Sequence, residues 1–331
     1  MNSLNNPLGI IIALYIFVFG CCIGSFLNVV ILRGLKGENF IKGSSKCPKC
    51  HNVLKWYMNI PILSYLFLRG KCAFCKTKIS IQYPIVELIC GLGFLLSYFV
   101  FGLGLKMAFS FIFISFFILL SATDILETVI IDTHAYGLAI FGLIYSYFIN
   151  FSWQNLLSSF LAGVLGFIVF ELFSRLGLKL IKHRFFGEGD SLIILGLGTI
   201  FQLKGLLIVI PLSFLIQAAF SIPILAFKAL KEKKKPLFAS YIFVFLGMIS
   251  IILINYYNLI QNEKIYLSFA ILITLILLWS LKNILSEIEE KKNLINDNLS
   301  NDEIEDNSPY CLMPFGPALI LAASIVLFIY F

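Results

Sequence analysis

The run GIIIALYIFVFGCCIGSFLNVVIL, residues 9–32, decides the fold class. Crossing the hydrocarbon core of a bilayer takes about 20 predominantly apolar residues in a helix, and this run has that length. It is too long for the apolar part of a signal peptide and no basic segment precedes it, so it reads as a retained membrane helix rather than a cleaved signal. Similar runs recur along nearly the whole chain of 331 residues, which is 60% hydrophobic and 13% charged, with a mean hydropathy of +0.95. That composition excludes an ordinary soluble domain. The expectation is an all-α, polytopic transmembrane helix bundle.

Charge sets the sidedness. Residues 33–82 hold ten of the 25 Lys and Arg (Arg33, Lys36, Lys42, Lys46, Lys49, Lys55, Arg69, Lys71, Lys76, Lys78) against one acid, Glu38. Bases this close to membrane spans mark the cytoplasmic side, and that explanation makes a nucleic-acid partner unnecessary. With 33–82 inside, further spans thread through 83–101, 105–123, 133–151 and 156–180. The apolar stretch 191–227 exceeds one span and is expected to break near Gln202–Gly205. Spans at 237–256, 265–281 and 315–331 bring the total to about ten. KLIKHR (179–184), KALKEKKK (228–235) and 282–310 then fall on the cytoplasmic face, in accord with the charge rule.

The expected organisation is therefore a first helix within 1–32, a cytoplasmic loop 33–82, a membrane core 83–235, two additional helices in 236–281, an acidic linker 282–310 and a final helix in 311–331. The linker has eight acids and three bases and reads as a disordered or frayed tether. The absence of internal repeats weakens a transporter built from duplicated halves.

The basic loop contains CPKC (47–50) and CAFC (72–75), separated by 21 residues. Four thiolates in two close pairs suit a tetrahedral metal, and the spacing is near that of zinc ribbons. Disulfides are the alternative, disfavoured in a reducing cytoplasm. A loop of this size with few apolar residues lacks a core, and Zn2+ on Cys47, Cys50, Cys72 and Cys75 would supply the missing folding energy. Cys21, Cys22, Cys90 and Cys311 lie in or beside apolar runs and read as small buried hydrophobes.

Two stretches carry acids at the same membrane face. SATDILETVIID (121–132) places Asp124 at the end of one span and Asp132 before the next, and GEGD (187–190) places Asp190 at the start of another. Asp124 and Asp190 are 66 residues apart in sequence, yet folding of the bundle could join them. Two neighbouring carboxylates do not both ionise easily, so one takes a proton from water while the other, protonated, polarises a carbonyl. Gly187 and Gly189 would allow close approach of substrate or backbone. The alternative is plain: an aspartate at a helix start can simply cap it, and Glu127, Glu188 and Asp132 are ionisable neighbours.

Taken together, these residues resemble the bacterial type IV prepilin peptidases, membrane aspartic peptidases of the GxGD kind. GSFLNVVILR (24–33) resembles that family's first-helix signature, and CPKC followed by NIPILSYLFLRGKCAFCKTKISIQYPIVEL (59–88) resembles its cysteine loop. Asp124 with Asp132, GEGD (187–190) and PFGPAL (314–319) complete five motifs in order. The resemblance implies an integral enzyme of the bacterial cytoplasmic membrane that removes the short basic leader of type IV pilin-like precursors after a glycine, at the cytoplasmic face, for pili or type II secretion. It implies Asp124 and Asp190 as the catalytic pair, Gly187, Gly189 and Asp132 as supporting residues, and the four loop cysteines as zinc ligands. It also implies N-methylation of the new terminus with S-adenosylmethionine. The implied partners are pilin-like precursors and membrane lipid. A non-catalytic zinc-loop scaffold for pilus or secretion assembly is the rival. Ile131, Gln82 and Leu192 stand where the family usually has proline, arginine and lysine, and 236–310 is additional.

Overall fold

The computed structural model describes residues 7–39, 43–181, 184, 186–231 and 314–330. Its helices are α1 (Pro7–Leu35), α2 (Leu63–Phe67), α3 (Gln82–Phe101), α4 (Leu105–Glu127), α5 (Asp132–Phe148), α6 (Trp153–Ile181), α7 (Glu188–Lys231) and α8 (Gly316–Tyr330), with a 3-10 turn at Trp56–Asn59. Among the described residues there is no strand beyond two isolated bridges, so the fold is all-α. Among the described residues five helices are long and apolar enough to cross a membrane: Pro7–Leu35, Gln82–Phe101, Leu105–Glu127, Trp153–Gly177 and Glu188–Ile224. The spans expected at 237–256 and 265–281 and the acidic linker lie outside the described residues.

Short connections fix the topology. α3 stops at Gly102, whose φ of 65° places it in the left-handed region, with its N–H donating to Tyr98 O. Three residues later α4 begins. α4 stops at Thr128, also left-handed at φ 52°, with its N–H donating to Asp124 O. Residues 128–131 and 149–152 join α4 to α5 and α5 to α6. Connections this short make sequential helices antiparallel neighbours, so the end of α4, the start of α5 and the start of α7 share one end of the bundle with the loop between α1 and α3.

The chain divides into two compact units, Met1–Ser213 with Pro314–Phe331, and Phe214–Met313. Of the second unit the described part is the helical stretch 214–231 of α7.

Within the first unit, α1 packs on α3 and α4 contacts α1, α3, α5 and α8. Lipid tails are as apolar as the side chains they would replace, so membrane helices associate through close fit, and small residues permit it. A Cβ on Gly20 would lie 2.8 Å from Gly91 Cα, and one on Gly198 would lie 2.6 Å from Gly163 Cα. These glycines set the α1–α3 and α6–α7 spacing. Phe94 of α3 stacks on Phe111 of α4 with ring centroids 4.0 Å apart. Phe113, Leu120, Leu138, Ile193, Leu197 and Leu319 are fully buried between α4, α5, α7 and α8.

Two boundaries and one cysteine refine the sequence reading. α4 continues three residues past Asp124, which therefore sits within its last turn rather than at its tip. The expected break in the apolar stretch after 191 falls at Gln202, whose φ of 57° and ψ of −173° interrupt α7. Cys22 is exposed, unlike Cys21 and Cys90, so it is not the buried hydrophobe that the sequence suggested.

Candidate active site and cysteine cluster

The last turn of α4 and the first turn of α7 each contribute one buried carboxylate. Asp124 is 5% and Asp190 6% exposed. The two lie close enough for the charge of Asp124 to act on Asp190. Glu127, Asp132 and Glu188, the other acids of these segments, are exposed. Burial thus separates the pair from its ionisable neighbours.

Asp190 is the third residue of α7, and its Oδ2 accepts the N–H of Gly187, just ahead of the helix, at 3.1 Å. This is the reach-back half of a capping box, so the capping interpretation of Asp190 is geometrically correct. It does not exclude chemistry, since the second carboxylate lies alongside. Gly189 is needed for packing: a Cβ there would be 2.6 Å from Ile130 Cβ and 2.7 Å from Ile130 Cδ1, in the α4–α5 connection. Gly187 has space around its Cα, with Asp190 Oδ2 3.6 Å from a would-be Cβ.

A residue that sequence reasoning left without a role completes the site. Gly316 opens α8, and a Cβ on it would collide with Asp124 Oδ2 and lie 3.2 Å from Ile193 Cδ1. The Gly316 amide acts on the Asp124 carboxylate, while Oδ2 itself is buried with no full hydrogen bond among the described residues. Only the PFGP motif hinted at this, and a motif match does not say which atom a glycine must admit.

The GEGD turn is held from three sides. Ser174 of α6, fully buried, donates its hydroxyl to Phe186 O at 2.6 Å and accepts the Phe186 N–H at 3.3 Å. The Phe186 ring sits 4.7 Å from that of Phe170 and 4.8 Å from that of Phe315. Glu171 accepts the Ser191 hydroxyl at 2.9 Å and Arg175 Nε at 2.7 Å, and Arg184 bridges Glu171 and Glu188 at 3.5 and 2.6 Å. Of the three departures from the family pattern, Ile131 has φ −77°, close to the angle a proline ring would impose. Gln82 begins α3 with its Nε2 buried and unpartnered among the described residues. Leu192 is half-buried.

The cysteine loop folds as two matching turns. In the first, Cys47 N–H donates to Asn52 O and His51 N–H to Cys47 O; in the second, Cys72 N–H donates to Thr77 O and Lys76 N–H to Cys72 O. His51 and Lys76 are left-handed in both, and the bridges Lys46–Val53 and Lys71–Lys78 close them. The four Sγ atoms of Cys47, Cys50, Cys72 and Cys75 lie within 4.8 Å of one another, an arrangement that could hold a metal ion. Cys47 and Cys75 Sγ are 3.8 Å apart, and a tetrahedron with metal–sulfur bonds of about 2.3 Å has edges of about 3.8 Å. All four thiols are free. The Thr77 hydroxyl and amide lower the Cys75 thiol to about 6, and the amides of Cys50 and Lys49 lower that of Cys47, which favours the thiolate at these two positions, whereas the Cys50 thiol is pushed up to about 11.

Helix α3 grips this loop. Glu87, buried in α3, accepts the N–H of Ile62 at 2.7 Å. Ile62 precedes α2 at φ 62°, a costly conformation for a β-branched residue unless something holds it. At the other edge Arg33 donates to Asn39 O, Gly43 O and Ser44 O.

Residues 18–101 match the Bacterial Peptidase A24 N-terminal domain and residues 111–222 match the Type IV leader peptidase family. A prepilin leader peptidase/N-methyltransferase of Neisseria gonorrhoeae is 33% identical over 223 residues, covering 60% of this chain and 77% of that protein. The chain belongs to the type IV leader peptidase family. A relative of the same name from Myxococcus xanthus is 31% identical over 208 residues, and the match spans 62% of this chain and 61% of that protein. A type 4 prepilin-like proteins leader peptide-processing enzyme of Escherichia coli is 32% identical over 206 residues, or 55% of this chain and 74% of its own. No solved structure matches the chain. The family's two matched segments divide between the two centres: the first takes in α1, the cysteine loop and α3, the second Asp124 through Asp190.

Proposed function

We propose that this chain is a membrane aspartic endopeptidase that removes the basic leader of type IV pilin-like precursors, with Asp124 and Asp190 as its catalytic residues. The observation that carries this is the pair of buried carboxylates brought to one place by α4 and α7, in a chain of the leader peptidase family.

An aspartyl pair at such range holds one proton between its members. The ionised member takes a proton from a water molecule as that water attacks the carbonyl carbon of the scissile bond. The protonated member hydrogen-bonds the carbonyl oxygen and steadies the tetrahedral intermediate. Collapse breaks the C–N bond, and the proton taken from water passes to the departing amine. No acyl-enzyme forms. Gly187 and Gly189 are supporting residues through the Asp190 hydrogen bond and the Ile130 contact. Asp132 supports the site only at a distance, as an exposed residue in the first turn of α5.

Cys47, Cys50, Cys72 and Cys75 would hold Zn2+, whose contribution when bound is to cross-link a loop that has no apolar core. The loop and the acid pair occupy one end of the bundle, and positive-inside charge assigns that end to the cytoplasm. The enzyme is thus a multi-pass protein of the bacterial cytoplasmic membrane. Its partners are pilin-like precursors and lipid, with no nucleic acid. N-methylation of the new terminus, with S-adenosylmethionine as donor, rests on the names of the relatives.

The test is cleavage of a pilin-like precursor by the wild type, Asp124→Asn and Asp190→Asn at equal membrane levels. Each variant should lose roughly 10²–10⁴-fold in rate, the range for removing a positioned acid or base. If either variant cleaves at the wild-type rate, the assignment is wrong. Labelled S-adenosylmethionine in the same reaction tests the second activity: cleaved product without label leaves a peptidase alone.

A further inference from the structure

We propose that the cysteine loop docks on the anionic leaflet of the membrane in which its own helices stand, inserting the side chains around α2 into the headgroup boundary. This rests on the loop and not on the peptidase reading.

Three observations converge. The first is an apolar surface left uncovered by a segment that has no core to spare: Trp56 is 80% exposed, Phe67 83%, Leu66 63% and Leu63 52%. Tryptophan at a membrane–water boundary is favoured because one part of its ring system is apolar and its N–H stays wet. The second is charge. Lys55 adjoins Trp56, Arg69 and Lys71 follow Phe67, all are exposed, and the whole loop has ten bases against Glu38. None of Lys55, Arg69 and Lys71 forms an ion pair among the described residues. Uncompensated bases flanking an exposed apolar cluster fit an anionic lipid surface.

The third observation is height. Ile62, at the head of α2, is bonded to Glu87. Glu87 lies five residues past Gln82, the start of α3, and at 1.5 Å per residue that is about 7.5 Å into a membrane span. Interfacial helices bury their apolar faces about 5–10 Å deep. The hydrogen bond therefore holds α2 at the depth where such side chains meet lipid. The rival occupant is the substrate itself, but the leader expected of that substrate is basic and the loop would repel it.

The full chain, loaded with metal, is reconstituted in vesicles of phosphatidylcholine alone or mixed with phosphatidylglycerol. Trp153→Phe and Trp279→Phe leave Trp56 as the sole tryptophan reporter. Bromine-labelled lipid and aqueous iodide then compete as quenchers. The expected result is bromolipid quenching and iodide protection in the mixed vesicles, both reduced by salt and by omission of phosphatidylglycerol. Arg69→Gln with Lys71→Gln should shift the docked-to-free ratio roughly thirty-fold, taking each base near an anionic surface at its usual contribution. Free access of iodide in both lipids overturns the proposal. So does bromolipid quenching indifferent to lipid charge. Protection from iodide without bromolipid quenching also overturns it, since protein, a second copy or substrate, then covers the surface. Metal content of the double variant reports its loop fold; if metal is lost, the lipid comparison on the unsubstituted loop decides alone.

Discussion

Replacing Gly316 with alanine tests the least obvious feature of the site. The added methyl would overlap Asp124 Oδ2 and press to 3.2 Å on Ile193 Cδ1. Ile193 is fully buried and α8 is packed along α4, so neither the wall nor the helix has room to yield. The carboxylate is the group that must move, by about 1 Å to restore ordinary contact. A misplacement of that size in a reacting group costs on the order of a hundredfold, equivalent to about 2.7 kcal/mol of barrier. On the role proposed for Asp124, the loss should fall on kcat, because the displaced group acts in the chemical step. The assay is steady-state cleavage of a pilin-like precursor by purified Gly316→Ala, with metal content and thermal melting as folding controls. Overpacking should destabilise by about 1–3 kcal/mol, leaving a folded protein to measure. A folded Gly316→Ala enzyme with wild-type kcat would refute the reasoning, because the Asp124 position would then not depend on the missing side chain.

Three other outcomes are expected. Cys47→Ser with Cys72→Ser should reduce bound metal from about one ion per chain to none by elemental analysis, as structural zinc sites need their full ligand set. Glu87→Ala leaves Ile62 at its left-handed angle without an acceptor; a loss of about 1.5–3 kcal/mol in local stability should be read as faster proteolysis within residues 56–70, and an unchanged digestion rate would remove Glu87 as the clasp. A reporter fused after Lys235 should be active only in the cytoplasm, and periplasmic activity would break the charge-based sidedness.

Much of the fold was legible because a membrane imposes its own period. Apolar runs of spanning length placed α1, α3, α4, α6 and α7 to within a few residues, and even the interruption at Gln202 was foreseen from the excess length of its stretch. α4 runs four residues past the expected 123, to Glu127, for an identifiable reason. Asp124 is buried within its last turn, and the helix is stopped by Thr128, which takes the left-handed angle that glycine would normally announce. The same holds for Ile62, an isoleucine at positive φ whose tether is an acid 25 residues on. The cysteine cluster was legible from spacing alone, since ligand type and interval carry the chemistry. The Gly316 contact was not: it joins 124 to 316, and long-range packing leaves no local pattern.

The placement of α8 answers an electrostatic need. Two carboxylates together repel each other, and Asp124 stands in the last turn of a helix, where the partial charge is already negative. Against this, the structure sets two helix N-termini. The start of α7 delivers the Gly187 N–H to Asp190, and the start of α8 brings the Gly316 amide to Asp124. Each acid thus meets the positive end of a helix dipole, one from its own helix and one from the far end of the chain. The α8 terminus can serve in this way only if position 316 has no side chain, because its backbone must come within reach of the carboxylate. It also explains why residues 232–313 can separate the two motifs in sequence. The site requires α8 to present its N-terminus at Asp124, and it places no condition on the path by which the chain arrives there.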